Sequence, residues 1–376
     1  VSRSLPSSSA GGSFPQLNVT PGSGSVGGAD AASPAARPWH QSARSIRTRL
    51  LLTLAGFGSL AVATTILAPL VGSTSISLAR VFDRSIPFDQ NVDAQIFFVA
   101  RLPRVIAAAI VGATLASAGV VFQALLRNPL ATPFTLGVSA GASLGAMLAI
   151  IFGASFALGP LSPVPVASFI GAALATGLVY WLATRTGRAI STSVLLLAGV
   201  TLNSFFSALI MFVQYLADFA QVYRAARWLM GDLDVGGFDP ILTALPLVVV
   251  SFALFALLPA SLNLLSIGPE AAASRGVDVG RSQRLAFFSA SLATSAAVSL
   301  AGPIGFIGIV VPHLVRLMVG VDHRIVLPAS ALFGASFLVA CDVAARMLLA
   351  PIEIPVGVVT AIIGGPFFLW LLVRKG

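Results

Sequence analysis

The sequence predicts an all-α, polytopic membrane protein with about ten transmembrane helices, and three observations carry that prediction. Hydrophobic residues make up 57% of the 376-residue chain and charged residues only 9%, against about 25% charged in an ordinary soluble domain. The apolar residues fall into runs of bilayer length, and the mean hydropathy is +0.95. The basic residues fall unequally on the two ends of those runs, as a topology signal does. The formal charge of +9 is scattered between apolar segments, so it is not a nucleic-acid footprint.

In chain order, residues 1–48 read as a disordered cytoplasmic tail. They are rich in Ser, Gly, Pro and Ala without apolar periodicity, so they cannot bury enough surface to offset the cost of ordering. The transmembrane domain is then 49–376. Arg44, Arg47 and Arg49 precede the first apolar run at Leu50, which is too long and too deep in the chain for an ordinary secretory signal. A hydrocarbon core of about 30 Å needs about 20 residues of helix. On that ruler the spans fall near 50–71, 104–125, 136–153, 165–184, 193–216, 240–259, 285–302, 307–319, 325–349 and 356–373. The eighth is short. The second holds the small-residue run Val111 to Gly119 and the third the series Gly137, Gly141, Gly145; such faces ordinarily serve close helix packing rather than a ligand.

An even count puts both termini on one side. Fifteen of the 22 basic residues then share that side and seven lie opposite, so both termini are expected in the cytoplasm. The same side receives the polar stretch Ser261 to Arg284, in which Glu270-Ala271-Ala272-Ala273 follow a Gly268-Pro269 break and end at Gly276. Two short helices outside the bilayer are expected there. A solvated connector and a docking knob for a cytoplasmic partner both fit that pattern.

The candidate chemistry is sparse. Cys341 is the only cysteine, so neither an internal disulfide nor a cysteine-based metal site is available. Lys375 is the only lysine, so no GxxxxGK[ST] phosphate loop exists and ATP hydrolysis by that route is excluded. The metalloprotease HExxH pair, the GxSxG elbow and an acidic diphosphate cluster are also missing, so the chain is not expected to be an enzyme. His40 in the tail, His313 at a helix start after Pro312 and His323 in a turn read as structural residues. No span carries a carboxylate near its centre, which argues against a proton-coupled secondary exporter. Arg101 and Arg104 open the second span and Arg346 lies near the outer end of the ninth. Interfacial anchoring is their ordinary role; pairing with carboxylates of a docking protein is the alternative. Asp342 stands four residues before Arg346, so an internal pair competes.

The runs RLPRVIAAAIVGATLASAG, LLRNPLATPFTLGVSAGA, STSVLLLAGVTLNS, RWLMGDL, LNLLSIGPEAAASRGV, SLAGPIGFIGIVVPHLVRLMVGVDHRIVLPASAL and EIPVGVVTAIIGGPFFLWLL together resemble the FecCD family over about residues 50 to 374. Its members are permease subunits of type II ATP-binding-cassette importers for ferric siderophores, haem and cobalamin. The resemblance implies ten helices per subunit, in the BtuC-like permease fold, and a homodimer in a bacterial plasma membrane with its path on the two-fold axis. It also implies two cytoplasmic ATPase subunits, which use ATP and Mg, and an extracytoplasmic binding protein. No cofactor is expected on this chain, and its partners include the lipid bilayer but no nucleic acid.

By motif, Gly268, Glu270 and Arg275 would belong to the ATPase-coupling surface. Arg101, Arg104 and Arg346 match the family's docking arginines for the binding protein. Thr192 and Ser193, after Ser191, match a cytoplasmic gate, and Asn203, Ser207 and Met211 would help to line the path. Tyr223 to Gly231 matches a short outer helix. A ferric siderophore is the first expected cargo, with haem or cobalamin behind it; a secondary exporter and a non-transporting scaffold are the rivals from other classes.

Overall fold

The computed structural model describes residues 39–153, 162–185 and 191–375, and everything described is helix, turn or loop. The chain divides between Arg44 and Ser45, and nearly all of the first unit lies outside the described residues. The first helix, α1 (Trp39–Leu67), starts earlier than the expected tail boundary at residue 48 and takes in His40. A polar excursion with two single-turn helices follows, α2 (Leu78–Val81) and α3 (Val92–Gln95). One wide π-helical turn, Ile96–Arg101, leads into α4 (Leu102–Leu126).

The middle of the chain forms α5 (Val138–Ile151), α6 (Pro163–Thr184), α7 (Thr192–Tyr215), α8 (Phe219–Leu229) and α9 (Asp239–Ala256). Two short helices, α10 (Pro259–Leu265) and α11 (Pro269–Ala273), precede α12 (Val279–Ala301). The chain ends in α13 (Ile307–Val319), α14 (His323–Met347) and α15 (Val356–Lys375). Among the described residues seven helical segments are long and apolar enough to cross a membrane, and three shorter apolar helices, at 138–151, 307–319 and 356–370, complete the ten expected. At 1.5 Å per residue, α13 reaches only about 20 Å; Pro312 and His313 lie within it, so His313 does not start a helix as expected.

Two contacts fix the ends of the bundle. Arg49 Nη2 donates to the Val319 carbonyl at 2.9 Å, near the start of α1. Arg101 Nη1 donates to the Pro69 carbonyl at 3.2 Å, just past its end. The helix between Arg49 and Leu67 spans about 27 Å, so the two ends lie about one hydrocarbon thickness apart. We call the end at Arg49 proximal and the other distal.

Without a hydrophobic drive between helices in lipid, association depends on close packing. The centre of the packing is α4, whose residues from Val111 to Leu126 are buried except Ala113. It crosses α14 where Gly112 and Gly334 meet backbone to backbone: a Cβ built on either would overlap the carbonyl of the other. Residues Gly141, Gly145 and Gly171 bring α5 against α6 in the same way. Overpacking such a contact costs about 1–3 kcal/mol. Gly112→Ala is therefore expected to lower the thermal unfolding midpoint in detergent clearly. Gly177→Ala, at an exposed α6 position where a Cβ meets nothing within 4 Å, should leave it equal or slightly raised. Equal midpoints for the two variants would contradict the packing role.

Candidate functional site

The proximal face carries the paired short helices, and local chemistry explains both. Pro259 and Pro269 stand in the first turns of α10 and α11, where the missing N–H is not needed. Between the helices Gly268 adopts φ 143° and ψ 153°, a region essentially closed to other residues. Gly276 at φ 80° ends the second turn. Gly268 is buried, whereas Glu270 and Arg275 are exposed, and neither makes an ion pair among the described residues. The expected pair of short helices is present, with its two charged groups facing outward.

α10 is tied to the start of α14. Asn263 Nδ2 donates to Asp322 Oδ1 at 2.7 Å, and Asn263 Oδ1 accepts from the His323 backbone N–H at 2.9 Å and lies 2.7 Å from His323 Nδ1. Asp322 also accepts the Arg324 N–H at 2.9 Å and so caps α14. Burial of Asp322 opposes its ionisation, but the Asn263 amide, the Arg324 N–H and the nearby charges of Arg324 and His323 outweigh it and hold the carboxyl below its ordinary value. His323 opens α14 rather than lying in a turn, and its ring is held against Asn263. These ties join α10 to the start of α14 directly.

At the distal end the three arginines matched to binding-protein docking are buried rather than presented on the surface. Arg101, Arg104 and Arg346 are only 7%, 8% and 3% exposed. Arg104 Nε donates to Asp342 Oδ1 at 2.7 Å and its Nη1 to Glu353 Oε2 at 2.5 Å. Arg346 Nε donates to Asp342 Oδ2 at 3.0 Å and its Nη1 to the Val71 carbonyl at 2.8 Å. Arg101 is aimed by the π-helical turn at the carbonyls of Pro69 and Thr74. Desolvated charges persist only when paired and hydrogen-bonded, and the fully buried Asp342 supplies the pairing for two of the three. The cluster is first a clasp that joins α4, α14 and the turn at 68–74. Three guanidiniums face three carboxylates here: Asp342 pairs with two of the arginines, and Glu353 and Asp234 line with Arg101, Arg104 and Arg346 a distal cavity of about 210 Å³.

The remaining candidates lie on α7. Ser191 caps it by accepting the Val194 N–H at 3.4 Å, which leaves Thr192 half-buried and Ser193 exposed in the first turn. Residues 186–190, immediately before, are outside the described residues. Asn203, Ser207 and Met211 share one face at a spacing of four. Asn203 and Met211 are exposed and Ser207 is half-buried, so a single chain leaves that face uncovered. The expected short outer helix is α8, beginning at Phe219 rather than Tyr223; Asp218 and Gln221 form a capping box, a spacing visible in the sequence. No signal in the sequence pointed to a second proximal feature, the cavity of about 620 Å³ lined by Gln123, Arg127, Asn263, Ile267, Arg316 and Val321.

The model of the FecCD transport family matches residues 60–374. A cobalamin import system permease, BtuC of Halobacterium salinarum, is 45% identical over 272 residues, covering 72% of this chain and 72% of its own length. A hemin transport system permease, HmuU of Yersinia pestis, is 38% identical, covering 88% and 97%. A solved structure assigned to the metal-chelate type of ABC transporter, in an inward-facing conformation, superposes with a TM-score of 0.75 at 32% identity, covering 85% of this chain and 98% of its own.

Proposed function

Because the chain belongs to the FecCD transport family, and is thus the non-catalytic, multi-pass permease of an ABC importer for iron chelates, haem or cobalamin, we propose that it imports a ferric siderophore. On this reading two copies face each other across α7, and Asn203, Ser207 and Met211 line the path between them. Amide, hydroxyl and thioether groups are weak metal ligands. They suit a bulky chelate that must pass without being held. The proximal face is cytoplasmic, with two ATPase subunits seated on α10 and α11 and Thr192 and Ser193 beside the closing gate.

The observation that supports this most directly is the pair α10–α11, with Glu270 and Arg275 exposed and α10 tied to α14 through Asn263. Closure of ATPase subunits on nucleotide would pull these short helices, and the tie would pass the movement to α14 and its packing partner α4. At the distal face the arginine clasp would act indirectly, by holding a rigid landing platform for a binding protein. A second cargo reading is favoured by one observation, the 45% identity to a cobalamin permease.

The deciding experiment is uptake into proteoliposomes that contain this chain, its ATPase and its binding protein, with ferric siderophore, haem and cobalamin offered in parallel. ATP-dependent accumulation of the siderophore alone is expected. Accumulation of cobalamin or haem instead would overturn the cargo assignment, and uptake that persists without the ATPase and collapses with a pH gradient would overturn the importer reading.

A further inference from the structure

The proximal cavity beside α10 is lined by a cation that has no ion-pair partner among the described residues. Arg316 projects from α13 into the cavity wall, and its Nη1 donates to Gln123 Oε1 at 2.6 Å. That amide is fixed, because Gln123 Nε2 donates to the Gly308 carbonyl at 2.8 Å. The partner is neutral, and no carboxylate lies within ion-pair distance of Arg316 among the described residues. Asp322 lines the same cavity but is engaged by Asn263 and by the first turn of α14. Arg127, exposed at the mouth, adds a second positive charge. A partly desolvated guanidinium facing a cavity of about 620 Å³ is complementary to an anionic oxygen pair.

The mouth carries apolar groups that water does not favour. Ile267, in the link between α10 and α11, is 64% exposed, and Val321, in the turn before α14, is 75% exposed. A charged anchor ringed by apolar contacts is the anatomy of an interface hot spot, because the ring excludes water from the ion pair. Ile267 lies two residues before α11, so the mouth adjoins the surface on which a partner of α11 would sit.

We propose that this cavity receives one acidic side chain of the ATPase subunit, whose carboxylate pairs with Arg316 while the surrounding surface packs on Ile267 and Val321. The inference rests on the importer reading above and adds to α10 and α11 a second anchoring point, on α13. The grip therefore reaches α4 directly through Gln123. The ATPase would hold two parts of the bundle and not one loop.

The test measures ATPase binding to the permease in nanodiscs over a range of salt concentrations. Failure of the unaltered permease to bind would overturn the importer reading itself. If it binds, Val321→Glu is expected to weaken affinity about tenfold or more by placing like charge at the mouth, whereas Val321→Lys stays within about threefold. Both act at an exposed position and leave folding intact. Arg316→Gln should weaken binding similarly and flatten its salt dependence. Equal losses from the two Val321 variants, or unchanged binding of Arg316→Gln, would overturn the proposal. Should Arg316→Gln bind the ATPase normally but release phosphatidylglycerol that the unaltered permease retains, the cavity is a lipid-headgroup site and the proposal also falls.

Discussion

Asp342→Asn is expected to destabilise the folded permease by about 3–5 kcal/mol, the cost of breaking a buried ion pair by removing one partner. The carboxylate is fully buried and serves Arg104 and Arg346 at once, at 2.7 and 3.0 Å. An amide in its place can accept from one guanidinium but carries no charge, so two desolvated cations would face each other across it. Glu353 is the internal control. It also pairs with Arg104, at 2.5 Å, but its side chain is 47% exposed, so water takes over when Glu353→Gln removes the charge and the expected loss is about 0–1 kcal/mol. Thermal unfolding in detergent, followed by size-exclusion fluorescence, separates the two. Midpoints within a degree of each other would mean that the arginines find other partners and that Asp342 is not the centre of the clasp.

The same cluster shows what a sequence does and does not disclose. The pairing of Asp342 with Arg346 is legible, because a spacing of four on a helix places them together. The pairing of Asp342 with Arg104 crosses 238 positions and exists only through the packing of α4 on α14. A chain read locally therefore presents Arg104 as a surface cation, while the folded chain buries it. The close contact of Gly112 with Gly334 has the same origin: the small-residue run Val111 to Gly119 announces a packing face but not which helix it meets. Spans were legible for the opposite reason. Bilayer thickness is a constraint outside the protein, and all ten apolar segments became helices around it.

Turn chemistry was legible wherever a backbone rule applied. Gly268-Pro269 and Gly276 marked the ends of α11, and both glycines adopt positive φ in the structure. The π-helical turn at Ile96–Arg101 had no such mark, so the aim of Arg101 was not foreseen. The proximal cavity was invisible for a further reason. Gln123, Asn263 and Arg316 come from three distant segments, and each is an unremarkable polar residue at the end of a helix until the fold assembles them.

The largest functional effect is expected at α11. Glu270→Lys and Arg275→Glu should each lower the amount of substrate imported per ATP hydrolysed by about tenfold or more. A charge-assisted contact contributes about 1.5–3 kcal/mol, equivalent to about ten- to hundredfold in affinity, and a reversed charge replaces that attraction with repulsion. Both side chains are exposed and make no ion pair among the described residues, so thermal stability should not change, and any functional loss reports on the partner interface rather than on folding. The predicted signature is specific: ATP hydrolysis continues while uptake falls, because an ATPase that has lost its grip on α11 can close on nucleotide without moving α10, and α14 then receives no displacement through Asn263. Asn263→Ala tests the next link in the same sequence of contacts. It removes the tie to Asp322 and His323 but leaves the ATPase-facing surface of α11 unaltered, so ATPase binding should persist while coupling falls. Normal substrate-to-ATP ratios for all three variants would show that force enters the bundle elsewhere, and would shift the search to the contact between α13 and α4 at Gln123.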